Sequence, residues 1–321
     1  MSVNSNRPDR WKADISRSVD FYNDWFMKFA PKAYRDTRIE STKQVQEALK
    51  QSANLTNITT KVLRENPKTL EMLRMTTAPP IARDRLIGLA SVSKGLVMSI
   101  ETEGRIPPRM TDTVVEAQLQ KICDLIMKLA DKDIFPWLEI KITPDEKEVH
   151  RSATIVADRL CGAQSDPIIR NAQEKRQLDS LKRWLEQRGY SYIETERSKF
   201  NKMKPGTFTF HLGIPVTLRG GKKEIKIPVD IVIMPKQTQT KAKKIPLLIE
   251  AKSAGDFTNP NKRRKEEAIK ISQLRAKYGK NIRYILFLCG YFDSGYLGYE
   301  AAEGIDWVWE HRVDDLSKFG V

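Results

Sequence analysis

Two acidic residues and one lysine lie in segments that have the pattern of neighbouring buried β-strands. Asp230 has apolar residues on both sides, and Glu250 and Lys252 belong to a segment that begins with an apolar run. Because side chains alternate along a strand, Glu250 and Lys252 are predicted to share one face, with Ala251 on the other. The two carboxylates and the Ala251 carbonyl offer the hard oxygen ligands that Mg²⁺ prefers. The lysine can orient or deprotonate a water and offset charge on a phosphorane, so the set predicts metal-dependent cleavage of a phosphodiester.

An acid and a lysine separated by one residue are common on solvated strands, where they have no catalytic role. The neighbouring residues distinguish this case. Residues 231–233 and 247–249 are apolar runs typical of buried strands, and charges that adjoin such runs need a partner or a metal ion. The sequence therefore favours the catalytic interpretation over a solvated strand face.

The sequence resembles the PD-(D/E)xK nuclease superfamily at these residues, and three longer blocks resemble one family within it, the XamI type II restriction endonucleases. The blocks comprise residues 168–178, 250–267 and 290–300. The resemblance implies Mg²⁺-dependent cleavage of double-stranded DNA at a short palindrome similar to GTCGAC. A cognate DNA methyltransferase would share the site without needing to bind this chain. Val229 separates Pro228 from Asp230, whereas the superfamily's proline usually adjoins the acid; proline is not a ligand, so Asp230 keeps its predicted role.

The positive charge of the chain is concentrated around these segments. The 321 residues carry a formal net charge of +15, and residues 222–283 contribute +11 from 17 basic and six acidic side chains. Residues 284–321 carry two basic and seven acidic side chains. Basic side chains around an acidic metal site attract the phosphates of a polyanion, while the metal offsets repulsion at the centre. A generally basic protein is the alternative, and the local concentration of charge argues against it.

The remaining composition is that of an ordinary soluble protein, with 40% hydrophobic residues. No apolar stretch is long enough to span a bilayer and the N-terminus lacks the apolar core of a signal peptide, so a cytoplasmic location and no membrane partner are expected. The cysteines lack CxxC spacing and predict reduced thiols: Cys123, Cys161 and Cys289. The histidines are isolated along the chain and are predicted to be packed or surface residues rather than ligands: His150, His211 and His311.

Two regions differ in their predicted secondary structure. Residues 1–165 are predicted to be mostly helical, with helices at 81–102 and 112–131 and capping boxes at 41–44 and 143–146. Residues 166–321 are predicted to form the nuclease core. Its elements are a helix at 168–188, strands at 206–217, 223–234 and 245–253, a helix at 261–278 and a strand at 282–289. This order predicts an α+β, or mixed α/β, fold with a mixed sheet flanked by helices, the common PD-(D/E)xK core.

Glu174 is a further candidate because it shares a helical face with three leucines. Spacings of four, three and four residues join it to Leu178, Leu181 and Leu185. An acid on an apolar stripe is costly unless it is paired or binds a metal. Related nucleases often place a helix-borne glutamate beside the metal, so the resemblance implies a second-metal or water-positioning role. A salt bridge to Arg170 is the alternative.

A basic cluster near the start of the second core helix is the best candidate for DNA contact. It comprises Lys262, Arg263, Arg264 and Lys265. The helix macrodipole disfavours positive charge at this end, whereas helix N-termini bind phosphates and arginine can reach guanine edges. Asn259 and Asn261 are predicted to cap the helix, with pairing to adenine edges as the alternative. A solvated cationic turn is the alternative for the cluster, and residues 237–244 form a second candidate arm.

A two-fold homodimer is predicted from the geometry of double-strand cleavage. One set of Asp230, Glu250 and Lys252 cuts one strand at a time, and the antiparallel strands of a palindrome match two subunits related by a two-fold axis. A structure-specific or repair nuclease with the same core is one alternative. A non-catalytic DNA-binding protein with a degenerate nuclease fold is another, and the complete set of two acids and a lysine argues against it.

Overall fold

The computed structural model describes residues 2–195, 199–217, 224–236 and 245–321, and for residues 164–166, 201, 259 and 261–263 it describes the backbone alone. The helices are α1 Pro8–Gln51, α2 Thr60–Glu65, α3 Thr69–Met75, α4 Arg83–Ala90, α5 Lys94–Met98, α6 Asp112–Leu129, α7 Trp137–Ile140, α8 Glu146–Gln187, α9 Thr258–Tyr278 and α10 Ser294–Ala302. The strands are β1 Ser191–Tyr192, β2 Thr207–Thr217, β3 Glu224–Met234, β4 Leu247–Ala254, β5 Arg283–Gly290 and β6 Asp306–Trp309. The described ranges also contain a π-helical turn, Ser99–Glu103, and the 3₁₀ segments Phe200–Lys202 and Glu310–Phe319.

The strands of the described ranges form one six-stranded mixed sheet in the order β1-β2-β3-β4-β5-β6. The pairs β2–β3 and β3–β4 are antiparallel, and the pairs β1–β2, β4–β5 and β5–β6 are parallel. The chain passes from β4 to β5 through α9, which is the helical crossover that a parallel pair requires. The fold is therefore α+β, with a nuclease-like mixed sheet flanked by helices.

Both faces of the sheet are covered, which is why its central strands are almost wholly apolar. On one face, apolar side chains of α8 pack on the sheet; the cluster includes Leu181, Leu185, Phe208, Ile249 and Phe287. On the other face α9 and α10 pack on the sheet, in a cluster that includes Ile271, Leu274, Leu297, Leu286 and Trp307. A charged side chain on either face is removed from water and must find a partner there.

The chain divides into two compact units. They comprise residues 1–29 with 170–321, and residues 30–169. The first segment groups with the sheet because its polar groups bond to β5 and β6: the Asn4 N–H donates to Asp306 Oδ1 at 3.0 Å, and the Gly290 N–H donates to Ser18 Oγ at 2.8 Å. The division expected at residue 165 lies close to the boundary at residues 169 and 170. Residues 1–29, which were expected in the helical region, instead group with the strands.

The helical unit has its own hydrophobic core. None of the helices in the described ranges is long and apolar enough to cross a membrane. The apolar stripe predicted for α6 is buried, with Val115, Leu119, Ile122 and Ile126 at 0 to 1% exposure. A buried acid, Glu101, is compensated by Arg74 and Arg83, whose Nε atoms each lie 2.6 Å from its carboxylate. Removing either arginine would leave a buried charge without full compensation.

The predicted order helix-strand-strand-strand-helix-strand is confirmed for α8, β2, β3, β4, α9 and β5. Both predicted capping boxes are wrong. Helix α1 continues through residues 41–44, and α8 is capped two residues later than expected. There the Glu148 N–H donates to Asp145 Oδ1 at 2.8 Å, and the Asp145 N–H donates to Glu148 Oε2 at 3.0 Å. This reciprocal pair satisfies the first free donors of the helix.

Two further helix boundaries differ from expectation. The helix expected at 81–102 is divided into α4 and α5 at Ser91, whose φ of 49° lies in the left-handed region and ends α4. The helix expected to start at residue 168 is instead the second half of α8, which passes through Pro167. A proline inside a helix removes one hydrogen bond, and the packing of a long apolar face outweighs that local loss.

Candidate active site

Asp230 and Glu250 lie next to the point where the pairing of β3 and β4 ends. The two strands pair as far as Ile231 and Ile249, and the two acids are the next residues along each strand. The Ala251 N–H donates to Asp230 Oδ2 at 2.8 Å, which fixes this carboxylate against β4. Glu250 is 5% exposed, and Asp230 is half-buried. The prediction that these acids belong to neighbouring strands is confirmed.

Lys252 is held between two carboxylates. Its Nζ lies 3.3 Å from Glu250 Oε1 and 2.8 Å from Glu267 Oε1. Glu267 belongs to α9 and is 1% exposed. A second lysine of α9, Lys270, places its Nζ 2.5 Å from Glu250 Oε1. Glu250 and Lys252 therefore share one face of β4, as strand alternation predicts, and α9 covers that face with an acid and a lysine of its own.

Burial and charge shift the pKa values of two of these groups. Burial, followed by the negative charge of Glu250, raises the pKa of Asp230 to about 6. Burial by itself lowers the pKa of Lys252, but the charges of Glu250 and Glu267 outweigh it and the net shift is upward. Lys252 is therefore an ammonium group at neutral pH, while Asp230 is an acid whose ionised form a bound cation would favour.

The two acids retain oxygen atoms that a metal ion can use. Glu250 Oε2 is buried and has no hydrogen-bond partner among the described residues. Such an unpaired buried oxygen is unfavourable unless a ligand satisfies it. Carboxylate oxygens from Asp230 and Glu250 are the donors that suit Mg²⁺, so these residues fit a divalent cation. The Ala251 carbonyl as a third ligand stays a prediction.

Glu174 and a histidine lie beside Asp230. Glu174 Oε1 is 3.8 Å from His211 Nε2, and ligand atoms of Glu174, His211 and Asp230 all lie within 4.8 Å of one another. The side chains of Glu174 and His211 are 47% and 56% exposed. The structure therefore brings Glu174 to the predicted site, and in the described part of the chain the basic side chain beside its carboxylate is His211 rather than Arg170.

Sequence reasoning missed three residues of this site. His211 is 37 residues from Glu174 and 19 from Asp230, so no local spacing connects them. Glu267 carried a signal that was available: it shares a helical face with Ile271 and Leu274, at spacings of four and three, which is the same pattern that singled out Glu174. An acid on the buried stripe of the helix after β4 predicts a partner on that strand.

Helix α9 begins earlier than predicted, and this changes the interpretation of its first residues. It starts at Thr258 after an N-cap position at Phe257. Asn259 and Asn261 thus lie inside the helix, and the capping role predicted for them is wrong. The basic residues 262–265 lie in the second turn rather than the first, where the unfavourable interaction with the macrodipole is smaller.

The structure describes the side chains of two members of the basic cluster. The Arg264 guanidinium lies 4.8 Å from the centre of the Tyr299 ring, and Lys265 is exposed. Arg264 precedes Glu267 by three residues, which is about 4.5 Å along a helix axis, so the cluster adjoins the acids and lysines of the site. The side chains of Asn259, Asn261, Lys262 and Arg263 and the whole of 237–244 lie outside the description.

A buried acid behind the site predicts an unusual dependence of stability on pH. Glu300 of α10 is 0% exposed, and burial, followed by the charge of Glu267, raises its pKa to about 8. Between the ordinary carboxyl pKa and pH 8 the folded chain holds a proton that the unfolded chain releases, so stability falls as pH rises through this window. The neutral amide of Glu300→Gln removes this term.

We therefore expect the free energy of unfolding of Glu300→Gln, relative to that of wild type, to rise by on the order of 3 kcal/mol between pH 6 and pH 9. About two pH units of this range lie below the raised pKa, and each corresponds to about 1.4 kcal/mol. Urea unfolding at the two pH values measures it. Glu266→Gln, at an exposed position of α9, is the control and should show no such change. An equal effect of Glu300→Gln at both pH values would refute the raised pKa.

The fold and the site together define a class of protein. A mixed sheet flanked by helices, with an acid on one strand and an acid-x-lysine sequence on the next, is the arrangement of the PD-(D/E)xK nucleases. A family model for the XamI restriction endonucleases matches residues 53–309 of this sequence. The chain belongs to the XamI restriction endonuclease family.

Two known proteins can be compared with the chain. It is 52% identical over 319 residues to the type II restriction enzyme SalI of Streptomyces albus G, and the alignment covers 99% of each chain. The crystal structure of protein VC1899 from Vibrio cholerae is similar over 80% of this chain and 55% of that one, with 13% identity and a TM-score of 0.26. The second likeness is too weak to support a conclusion, whereas the first identifies a type II site-specific deoxyribonuclease as the class of this enzyme.

Proposed function

We propose that the enzyme hydrolyses both strands of DNA at a short palindrome similar to GTCGAC, that it uses Mg²⁺, and that it acts as a homodimer in the cytoplasm. The observation that carries the proposal is the convergence of Asp230 and Glu250 beside the doubly held ammonium group of Lys252. Full-length similarity to the type II restriction enzyme SalI supports the kind of substrate. A DNA methyltransferase that modifies the same site would protect the host DNA without forming a complex with the enzyme.

Each residue of the site has a distinct part in this proposal. Asp230 and Glu250 would hold Mg²⁺, which supplies a polarised phosphate oxygen and a more acidic water. Lys252 keeps its proton between Glu250 and Glu267, so it orients the water and offsets charge on the phosphorane rather than acting as the base. Lys270 neutralises Glu250 before the substrate arrives. Glu174 lies close enough to Asp230 to position a further water or ion.

The basic cluster of α9 is the proposed DNA contact. Arg264 is partly oriented by its stacking on Tyr299, which limits the rotamer entropy lost on binding a phosphate or a base. We expect Arg264→Ala and Arg263→Ala each to weaken DNA binding. If the arginine contacts a base, its loss should cost about 1–3 kcal/mol of binding free energy and relax discrimination at one position. If it contacts a phosphate, its loss should weaken binding to all sequences alike and lower the salt slope.

Fluorescence anisotropy with cognate and unrelated duplexes, over a range of salt concentrations, distinguishes these results. Lys277→Ala is the matched control, because it removes an exposed cation from the last turn of the same helix. Unchanged affinity and salt slope in both arginine variants would show that the cluster does not contact DNA and is a solvated cationic turn.

Digestion of unmethylated phage DNA with sequencing of the fragment ends tests the proposed function. Discrete fragments with ends at one palindrome, formed only with Mg²⁺, are expected. Random nicks or cutting confined to junctions would instead indicate a repair nuclease, and binding without cleavage would indicate a non-catalytic protein. Light scattering with the cognate duplex, together with linear product from supercoiled plasmid, tests the dimer; a monomer that releases nicked circles alone would exclude it.

A further inference from the structure

We propose that Lys270 couples metal binding to DNA binding. It pairs with Glu250 in the free enzyme and moves to a DNA phosphate in the complex, which leaves the Glu250 carboxylate to the metal ion. The inference rests on the proposed function, because it concerns the metal position formed by Asp230 and Glu250. It goes beyond the neutralisation of Glu250, since it makes the metal affinity of the site depend on DNA.

The two lysines that contact Glu250 are held differently. Lys252 Nζ lies 3.3 Å from Glu250 Oε1 and 2.8 Å from Glu267 Oε1, so it keeps one carboxylate if the other is taken. Lys270 Nζ lies 2.5 Å from Glu250 Oε1 and contacts no second carboxylate in the described ranges. Lys252 is carried by β4 and Lys270 by α9. A metal ion on Glu250 can therefore displace Lys270 and leave Lys252 in place.

Lys270 and a metal ion would compete for the same buried charge. Glu250 is 5% exposed, so water screens little there and two cations on its carboxylate repel one another. The site has three carboxylates and two ammonium groups, a net charge of −1 when all five are ionised: Asp230, Glu250, Glu267, Lys252 and Lys270. A divalent cation makes the site net positive if Lys270 stays, and neutral if Lys270 leaves. The exchange of one cation for the other is therefore the favoured arrangement.

The position of Lys270 on α9 gives it access to DNA. Arg264 of the basic cluster precedes it on the same helix by six residues, which is about 9 Å along the helix axis. The Lys270 side chain is 23% exposed, and its flexible four-carbon stem can turn without a change in the helix. A phosphate that reaches the Asp230–Glu250 position must come close to Lys270 Nζ, which is already in contact with Glu250.

This exchange predicts a reciprocal coupling between the two ligands. Without DNA, a metal ion must break the Lys270–Glu250 pair before it gains the full charge of Glu250, so it binds weakly. With DNA, a phosphate binds the ammonium group and the carboxylate is released to the metal. By linkage, DNA raises the affinity for the metal by the same factor by which the metal raises the affinity for DNA. The enzyme would hold its metal tightly only on DNA.

Binding of Mn²⁺ to the full chain, measured from the electron paramagnetic resonance signal of the free ion, tests the coupling without measuring cleavage. In wild type, a non-hydrolysable duplex carrying the site identified by the digest should raise the Mn²⁺ affinity. Lys270→Met removes the competing cation and should bind Mn²⁺ about 10-fold more tightly than wild type without DNA, a factor typical of coupled sites. The duplex should then raise the affinity of this variant less, by the same factor.

Three further variants separate this role from a structural one. Lys270→Gln keeps a donor for Glu250 without the charge and should show the same gain, even if Lys270→Met folds poorly. Lys270→Arg keeps the charge and should resemble wild type. Lys277→Met removes an exposed lysine from the last turn of α9 and should bind Mn²⁺ as wild type does. A lysine that only stabilises the fold would not raise the metal affinity when it is removed.

The possible failures are distinguishable. If the duplex does not raise the Mn²⁺ affinity of wild type, or if the neutral variants bind Mn²⁺ no more tightly than wild type without DNA, the role of Lys270 is refuted. The proposed nuclease site still stands in that case if Glu250→Gln abolishes Mn²⁺ binding. A gain without DNA that leaves the effect of the duplex unchanged would refute the move to a phosphate. If wild type binds no Mn²⁺ even with the duplex, the proposed function fails as well.

Discussion

Asp230→Asn, Glu250→Gln and Lys252→Ala are each expected to reduce DNA cleavage by at least about 10²–10³-fold, the size of effect seen when one preorganised electrostatic contact to a reacting group is lost. The first two remove a charged metal ligand, and the third removes the ammonium group that lies between Glu250 and Glu267. Single-turnover cleavage of a plasmid carrying the cognate site measures the effect.

DNA binding by the same variants should remain, because these residues act on the metal and the water rather than on base edges. Without metal, the two acid variants should bind DNA at least as tightly as wild type, since a carboxylate close to a phosphate repels it. Glu224→Gln is the matched control: it neutralises an exposed acid on β3, six residues before Asp230, and should cleave normally. Wild-type cleavage rates in any of the three variants would remove that residue from the site.

Glu267→Ala should damage both stability and cleavage, although Glu267 touches no predicted metal ligand. Glu267 is 1% exposed and its Oε1 lies 2.8 Å from Lys252 Nζ. Breaking a buried ion pair from one side costs about 3–5 kcal/mol, because the remaining charge loses its compensation. The freed ammonium group would then move toward Glu250, whose Oε1 is already 3.3 Å away, and compete with the metal for that carboxylate.

Urea unfolding and the Mg²⁺ dependence of cleavage measure the two consequences. Glu267→Gln keeps an oxygen acceptor for Lys252 and should recover part of the cleavage, which a purely structural defect would not predict. Glu266→Ala, the exposed neighbour on α9, should change neither quantity. Normal Mg²⁺ dependence in Glu267→Ala would show that Lys252 keeps its position without this partner.

Local periodicity was sufficient to predict the strands of the site and the shared face of Glu250 and Lys252. Alternation along a strand is a property of a few consecutive residues, and packing preserved it in β4. The same reasoning selected Glu174 from its place on an apolar helical stripe. Each of these predictions depended on spacings of two to four residues, which are visible in the sequence.

The parts that were missed depend on register and on starting points of helices. Placing His211 beside Asp230 requires the pairing of β2 with β3, and no spacing in the sequence fixes that pairing. The capping box at 41–44 is wrong because α1 runs through it, and the box at 143–146 is wrong because the reciprocal pair of Asp145 and Glu148 begins α8 two residues later. Asn259 and Asn261 were misassigned because α9 begins at Thr258 and includes them. Helix boundaries are the features that a local pattern predicts least precisely.

The central claim is that Asp230 and Glu250 bind the metal ion and that Lys252 acts beside it. Anomalous scattering tests this claim most directly. The crystal would contain the full chain, Mn²⁺ and a non-hydrolysable duplex carrying the site identified by the digest. We predict an anomalous peak within coordination distance of oxygen atoms of both Asp230 and Glu250, with Lys270 displaced from Glu250 and Lys252 Nζ directed at the scissile phosphate. An ion bound to the phosphate but to neither acid, with Lys270 still paired to Glu250, would contradict the account.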